Sequence, residues 1–160
     1  MEIEMKYASY LLNIVLIAAL GYVGYKFVYD GNVATGSEDR TAVILTAAEK
    51  AEVLGEMRGL LETSQAVLLA ATSDDVASIP DIVRPYGMAA VEEESITLAA
   101  KLPLDLKTMG YDAHRAMDAL GEMAESGATG NEIVETLAGA MSLCTTCHAT
   151  YRFVAEEEMK

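Results

Sequence analysis

The most specific chemistry in the chain sits in Cys144-Thr145-Thr146-Cys147-His148. C-x-x-C-H is the attachment signature of a c-type haem. The two thiols add across the vinyl groups of the porphyrin, and the adjacent imidazole becomes an axial ligand of the iron. On a helix the three side chains stand at i, i+3 and i+4, so all of them point at one flat partner. These are the only two cysteines among the 160 residues. That leaves no second pair for a Cys₄ zinc site or a disulfide framework. A redox dithiol and a zinc half-site are the alternatives to haem c.

Around the motif the chain reads Leu143-Cys-Thr-Thr-Cys-His-Ala-Thr-Tyr-Arg152, within a helical run expected from Asn131 to Glu157. This resembles the cytochrome c′ family, whose last helix carries C-x-x-C-H followed by a Tyr-Arg pair. Small globular cytochromes c carry the motif near the N-terminus instead. The resemblance is strongest from about Leu104 to Arg152, weaker over the first bundle helix and absent before Ser37. It implies an all-α fold: an antiparallel four-helix bundle holding one covalent haem c.

In that family the first bundle helix covers the distal face of the haem. High-spin members place an apolar side chain there, and low-spin relatives a methionine. The residues here are Leu54, Met57, Arg58 and Leu61. Met57 is the one with a thioether, and thioether with imidazole is an electron-transfer pairing. A methionine at helical spacing is also ordinary core. Met88 and His114 are the other candidate ligands. Arg152 and Arg58 are candidates to pair with a propionate through the planar guanidinium. Tyr151, three residues beyond His148, is expected on the haem side of a continuing helix.

Several elements must position these groups. Tyr7 to Tyr25 is a 19-residue run without a charge, about 28 Å long as a helix and close to the thickness of a bilayer core. Tyr7 and Tyr10 at one end, with Tyr22, Tyr25, Phe27 and Tyr29 at the other, form two interfacial belts. An acidic n-region and the lack of an A-x-A site argue against a cleaved signal peptide. Residues 1–29 are therefore read as a single membrane anchor, 30–36 as a polar linker and 37–160 as the bundle. Ser37 with Glu38 and Asp39 is the expected start of a first helix running to Ala71. Gly55 and Gly59 mark a place where a ring or a helix could come close. Pro80, Pro85 and Gly87 break the next stretch, and a second helix is expected from Met88 to Lys101. A third begins at Pro103 and ends at Ser126-Gly127. The fourth is expected to begin at Asn131 and to fray at Glu156-Glu157-Glu158.

The net charge of −14 argues against nucleic acid as a partner and for a basic docking partner. There is no Ser/His/Asp set, H-E-x-x-H or phosphate loop, so an enzyme is not expected. The expected function is electron transfer to or from a membrane redox complex or another cytochrome. The haem domain would lie on the periplasmic side of a bacterial inner membrane. Gas binding is the alternative, and a homodimer or a subunit of a larger assembly is compatible with either.

Overall fold

The computed structural model describes residues 2–35, 39–91 and 95–159, without the side chains of 2–6 and 8. The chain is mostly helical, with an apolar N-terminal helix and a small three-stranded sheet. Helix α1 (Glu2–Gly24) continues through a π-helical turn, Tyr25–Asp30. From Ser9 to Asp30 it is long and apolar enough to cross a membrane. Its described apolar side chains, among them Leu12, Ile17 and Leu20, are exposed.

Strand β1 (Val33–Thr35) pairs antiparallel with β2 (Thr41–Leu45), placing Val33 opposite Val43 and Thr35 opposite Thr41. Helix α2 (Ala47–Thr72) follows directly. The short helices α3 (Ile79–Val83), α4 (Met88–Val91) and α5 (Ile96–Lys101) lead to α6 (Leu104–Glu125). A tight turn then returns the chain antiparallel along α7 (Gly130–Thr150). Strand β3 (Tyr151–Ala155) closes the sheet, parallel to β2, with Thr41 opposite Tyr151 and Leu45 opposite Ala155.

Packing divides the interior into two clusters. One lies where α6 turns into α7 and joins Val67, Ile79, Val83, Met117, Leu120, Ile133 and Leu137. Gly121 lets α3 press onto α6 there, since a Cβ would stand 3.1 Å from Val83 Cγ2. The other lies at the opposite end and joins the sheet to α5 and the start of α6 through Val43, Leu45, Val53, Leu98, Leu102 and Leu106.

Several local expectations are corrected. The first bundle helix begins at Ala47, not near Ser37. Thr41-Ala-Val-Ile-Leu45 is apolar and β-branched and takes a strand, and Thr46 caps α2 in a reciprocal box with Glu49. Residues 36–38, which hold Ser37 and Glu38, lie outside the described residues. The expected linker is part of the fold as far as Thr35. The expected helix from Met88 to Lys101 is two short pieces, with 92–94 outside the described residues; α3 packs against α6 instead. The last helix is capped by Thr129 with Glu132, so Asn131 is in its first turn. It stops at Thr150, because Tyr151-Arg-Phe-Val-Ala155 satisfies its backbone against β2. The acidic tail is held, with Glu158 accepting from Lys50 Nζ at 2.8 Å and from the Ala155 amide at 3.1 Å. Helix α6 has the ends expected of it: Pro103 at its cap, Ser126 closing it and Gly127 at φ +84°.

Candidate functional site

Helix α7 is more closely packed over one half than over the other. Its buried residues, Ile133 and Leu137, belong to the first two turns after the cap. Beyond them Met141, Cys144, Thr145, Thr146, His148 and Ala149 are exposed, while Leu143 and Cys147 are half-buried. The motif thus occupies the more exposed half of α7, at the sheet-side cluster, with Cys147 turned inward. Around it a Cβ at Gly110 on α6 or at Gly139 on α7 would meet no atom within 4 Å. Arg40 Nη1 donates to the His148 carbonyl at 3.4 Å, tying the helix end to the entry of β2.

Cys147 packs against the sheet-side cluster, as do Met57, Tyr151 and Phe153. Burial, and then the neighbouring Cys144, push its thiol above the ordinary value. Among the described residues no three His, Cys, Asp or Glu side chains converge on a point ion. Cys144 and His148 are exposed and Cys147 half-buried on one face of α7, a donor set that would suit haem c.

The candidate distal residues separate. Met57 is half-buried against the same cluster as Cys147, so the fold brings α2's thioether to the motif's end of the molecule. Arg58 is exposed and Leu61 is 64% exposed. Leu54, Leu61 and Leu68 form an exposed apolar stripe on α2. The backbone amide of Met88 donates to Asp118 Oδ2 at 2.9 Å, which places Met88 beside α6 far from Leu106. The twelve residues between Leu106 and Asp118 amount to about 18 Å of helix. His114 is buried. Its Nδ1 stands 2.9 Å from the Tyr86 carbonyl and its Nε2 3.3 Å from Glu56 Oε1, which leaves neither nitrogen turned to the motif. Gly59 is the place where Tyr86 approaches α2: a Cβ there would collide with the phenol. Gly55 has only Arg58 within 4 Å.

No family model, curated protein or solved structure matches the chain. The site therefore rests on its own residues.

Two of these residues lie on a strand and not on the expected helix. Tyr151 has extended backbone, its amide bonded to the Cys147 carbonyl, and its ring reaches the Cys147 cluster from β3. Burial, followed by the Asp105 carboxylate, pushes its phenol up. Arg152 has a buried Nε with no hydrogen-bond partner among the described residues. A buried donor of this kind is costly, but strand alternation turns Arg152 to the face opposite Tyr151 and Phe153, away from the Cys147 cluster. Sequence reasoning missed Arg40 and Asp105. Both reach the motif region through folding alone, and no local pattern marks them.

Proposed function

We propose that the chain is a membrane-anchored mono-haem c-type cytochrome of the cytochrome c′ kind, carrying electrons to or from a membrane redox complex. The observation that carries this reading is the Cys144/Cys147/His148 triad on the more exposed half of α7. In this reading α2, the broken α3–α5 stretch, α6 and α7 stand for the four helices of the bundle. Cys144 and Cys147 would hold the group by thioethers and His148 would ligate its iron, with Met57 as the second ligand. When bound, the haem supplies a one-electron ferric/ferrous couple.

The chain's own contribution is positional. Burial keeps Cys147 against the sheet, while Arg40 holds the end of α7 through the His148 carbonyl. Met57 on a packed helix keeps its ligand in place without a large rearrangement. Because α1 is long and apolar enough to span a bilayer, we read it as the anchor, with the bundle on the periplasmic side. Tethering concentrates the carrier at a membrane partner towards millimolar levels. An excess of negative charge favours a basic docking face.

Expression with the c-type haem attachment apparatus tests the assignment. Haem that stays with the polypeptide through acid–acetone extraction is expected, with loss of holoprotein in Cys144→Ala and Cys147→Ala. Haem released by that extraction refutes it. One observation favours gas binding as a second reading: Met57 is packed among apolar side chains, where it could serve as lining. Immediate carbon monoxide binding by the reduced native protein would select that reading.

A further inference from the structure

The passage from membrane helix to domain contains no slack. Lys107 Nζ, on the first turn of α6, lies 3.3 Å from the carbonyls of both Phe27 and Val28. Gly31 is buried at φ +73°, where a Cβ would stand 2.6 Å from the Lys101 carbonyl oxygen and 2.6 Å from Pro103 N. Only glycine suits that backbone and that space. The next amide, of Asn32, donates to the Lys101 carbonyl at 2.7 Å. Its side-chain amide donates to the Ile44 carbonyl at 3.0 Å, and the Ile44 amide returns a bond to the Asn32 carbonyl at 2.8 Å. Val33 then enters the sheet. A free seven-residue tether would wander over roughly 15 Å; this segment is hydrogen-bonded from its second residue.

The same junction lies beside the motif. Leu102, whose carbonyl carbon abuts Gly31, shares a cluster with Leu106 and Cys147. Because α7 returns antiparallel to α6, the motif comes back to the end of the domain where α1 leaves. Exposed Tyr22, Tyr25, Phe27 and Tyr29 mark that end as the bilayer interface.

From this we infer that the anchor is a rigid mount holding the Cys144–His148 end of the domain at the membrane surface, and that the electron partner is an integral protein of the same bilayer. The inference rests on the haem reading for its function, but the mount stands on hydrogen bonds independent of haem. A site held beside lipid at fixed height and tilt is presented sideways to a membrane neighbour. A soluble carrier would meet the bilayer as an obstruction.

Three measurements on the full-length chain test this. Hydrogen exchange in phosphatidylcholine/phosphatidylglycerol vesicles should find the Asn32 and Ile44 amides protected, and at least tenfold faster in Gly31→Val. Unprotected native amides overturn the mount whatever the cofactor. In oriented bilayers of that lipid the haem Soret band should show linear dichroism that is lost when six Gly/Ser residues are inserted after Asp30. An isotropic native haem, or an insertion without effect, overturns the mount, whereas absence of a covalent haem band refutes the haem reading alone. Finally, native membranes should oxidise the reduced insertion variant at least tenfold more slowly than the native protein, with ferricyanide oxidation unchanged. Equal rates, or neither oxidation nor reduction by the membranes, overturn the membrane partner.

Discussion

Met57 on α2 and Cys147 on α7 pack against one apolar cluster formed by β2, α5 and the start of α6. Their helices are far apart in sequence, and only the fold sets a thioether at the motif's end of the molecule. Met88 and His114 are engaged elsewhere, with Asp118 and with Tyr86 and Glu56.

If Met57 is the second axial ligand, the ferric protein is low-spin and shows a weak thioether-to-iron band near roughly 695 nm. Met57→Ala should lose the band and bind carbon monoxide rapidly on reduction. A native protein that is high-spin from the outset would sink the ligation and move the balance to gas binding.

Local chemistry made some of this legible, and long-range pairing hid the rest. Pro103 and Gly127 announce the two ends of α6, because one cannot donate and the other accepts a positive φ. The motif is conspicuous for a similar reason: its residues lie within little more than one helical turn. The sheet is not. Tyr151-Arg-Phe-Val-Ala155 reads as a continuation of α7 until Thr41–Leu45 is known to lie beside it. Asp30 to Gly36 reads as a linker by its glycines and asparagine. Gly31 is there for its backbone angle and its contact with Lys101 and Pro103, neither of which a composition can express.

Gly59 offers a check on the packing of α2. Alanine there should gain about 1 kcal/mol of helix propensity. The new Cβ would also collide with the Tyr86 phenol, which is part of the packed interior. The collision should prevail, giving a net loss of about 1–3 kcal/mol. Denaturant unfolding of Gly59→Ala measures it, and combining it with Tyr86→Leu should recover much of the loss through coupling between the two positions. Equal or greater stability of the single variant would mean that Tyr86 does not occupy this notch.

Thr129 closes the start of α7 by accepting from the Glu132 amide, while the Glu132 carboxylate accepts from the Thr129 amide at 2.7 Å. Thr129→Ala should cost about 1 kcal/mol. The loss should appear in the unfolding midpoint while the spectrum of the haem proposed for the motif stays unchanged, since the cap is at the far end of α7 from the motif. A spectral change without a change in midpoint would contradict this division of the helix.

Glu49 gives the fold a specific acid sensitivity. Its carboxylate accepts from Lys101 Nζ at 2.7 Å and from the Thr46 amide at 2.8 Å, joining the start of α2 to the end of α5. Lys101, followed in effect by the Thr46 bonds against the opposing cost of burial, holds the Glu49 carboxyl below its ordinary value. A carboxyl depressed by folding binds fewer protons in the native state than in the unfolded one. Its contribution is therefore fully present above the unfolded carboxylate value, near pH 4.3, and is lost as pH falls through the lower native value. Lys101 is raised by the same pair, so its share is present below the ordinary lysine value and is lost only as pH climbs through the higher native one. Glu49→Gln keeps an acceptor for Thr46 and loses the charge, so it should destabilise by about 1–2 kcal/mol at pH 7. Lys101 retains Glu156 at 3.5 Å, which limits the loss. The difference between native and variant unfolding midpoints should be constant from pH 6 to 9 and shrink towards zero below about pH 4. Because every other carboxylate is common to both proteins, their acid titration cancels in that difference. A gap that persists undiminished to pH 2 would mean that the lost interaction is not the ionised pair.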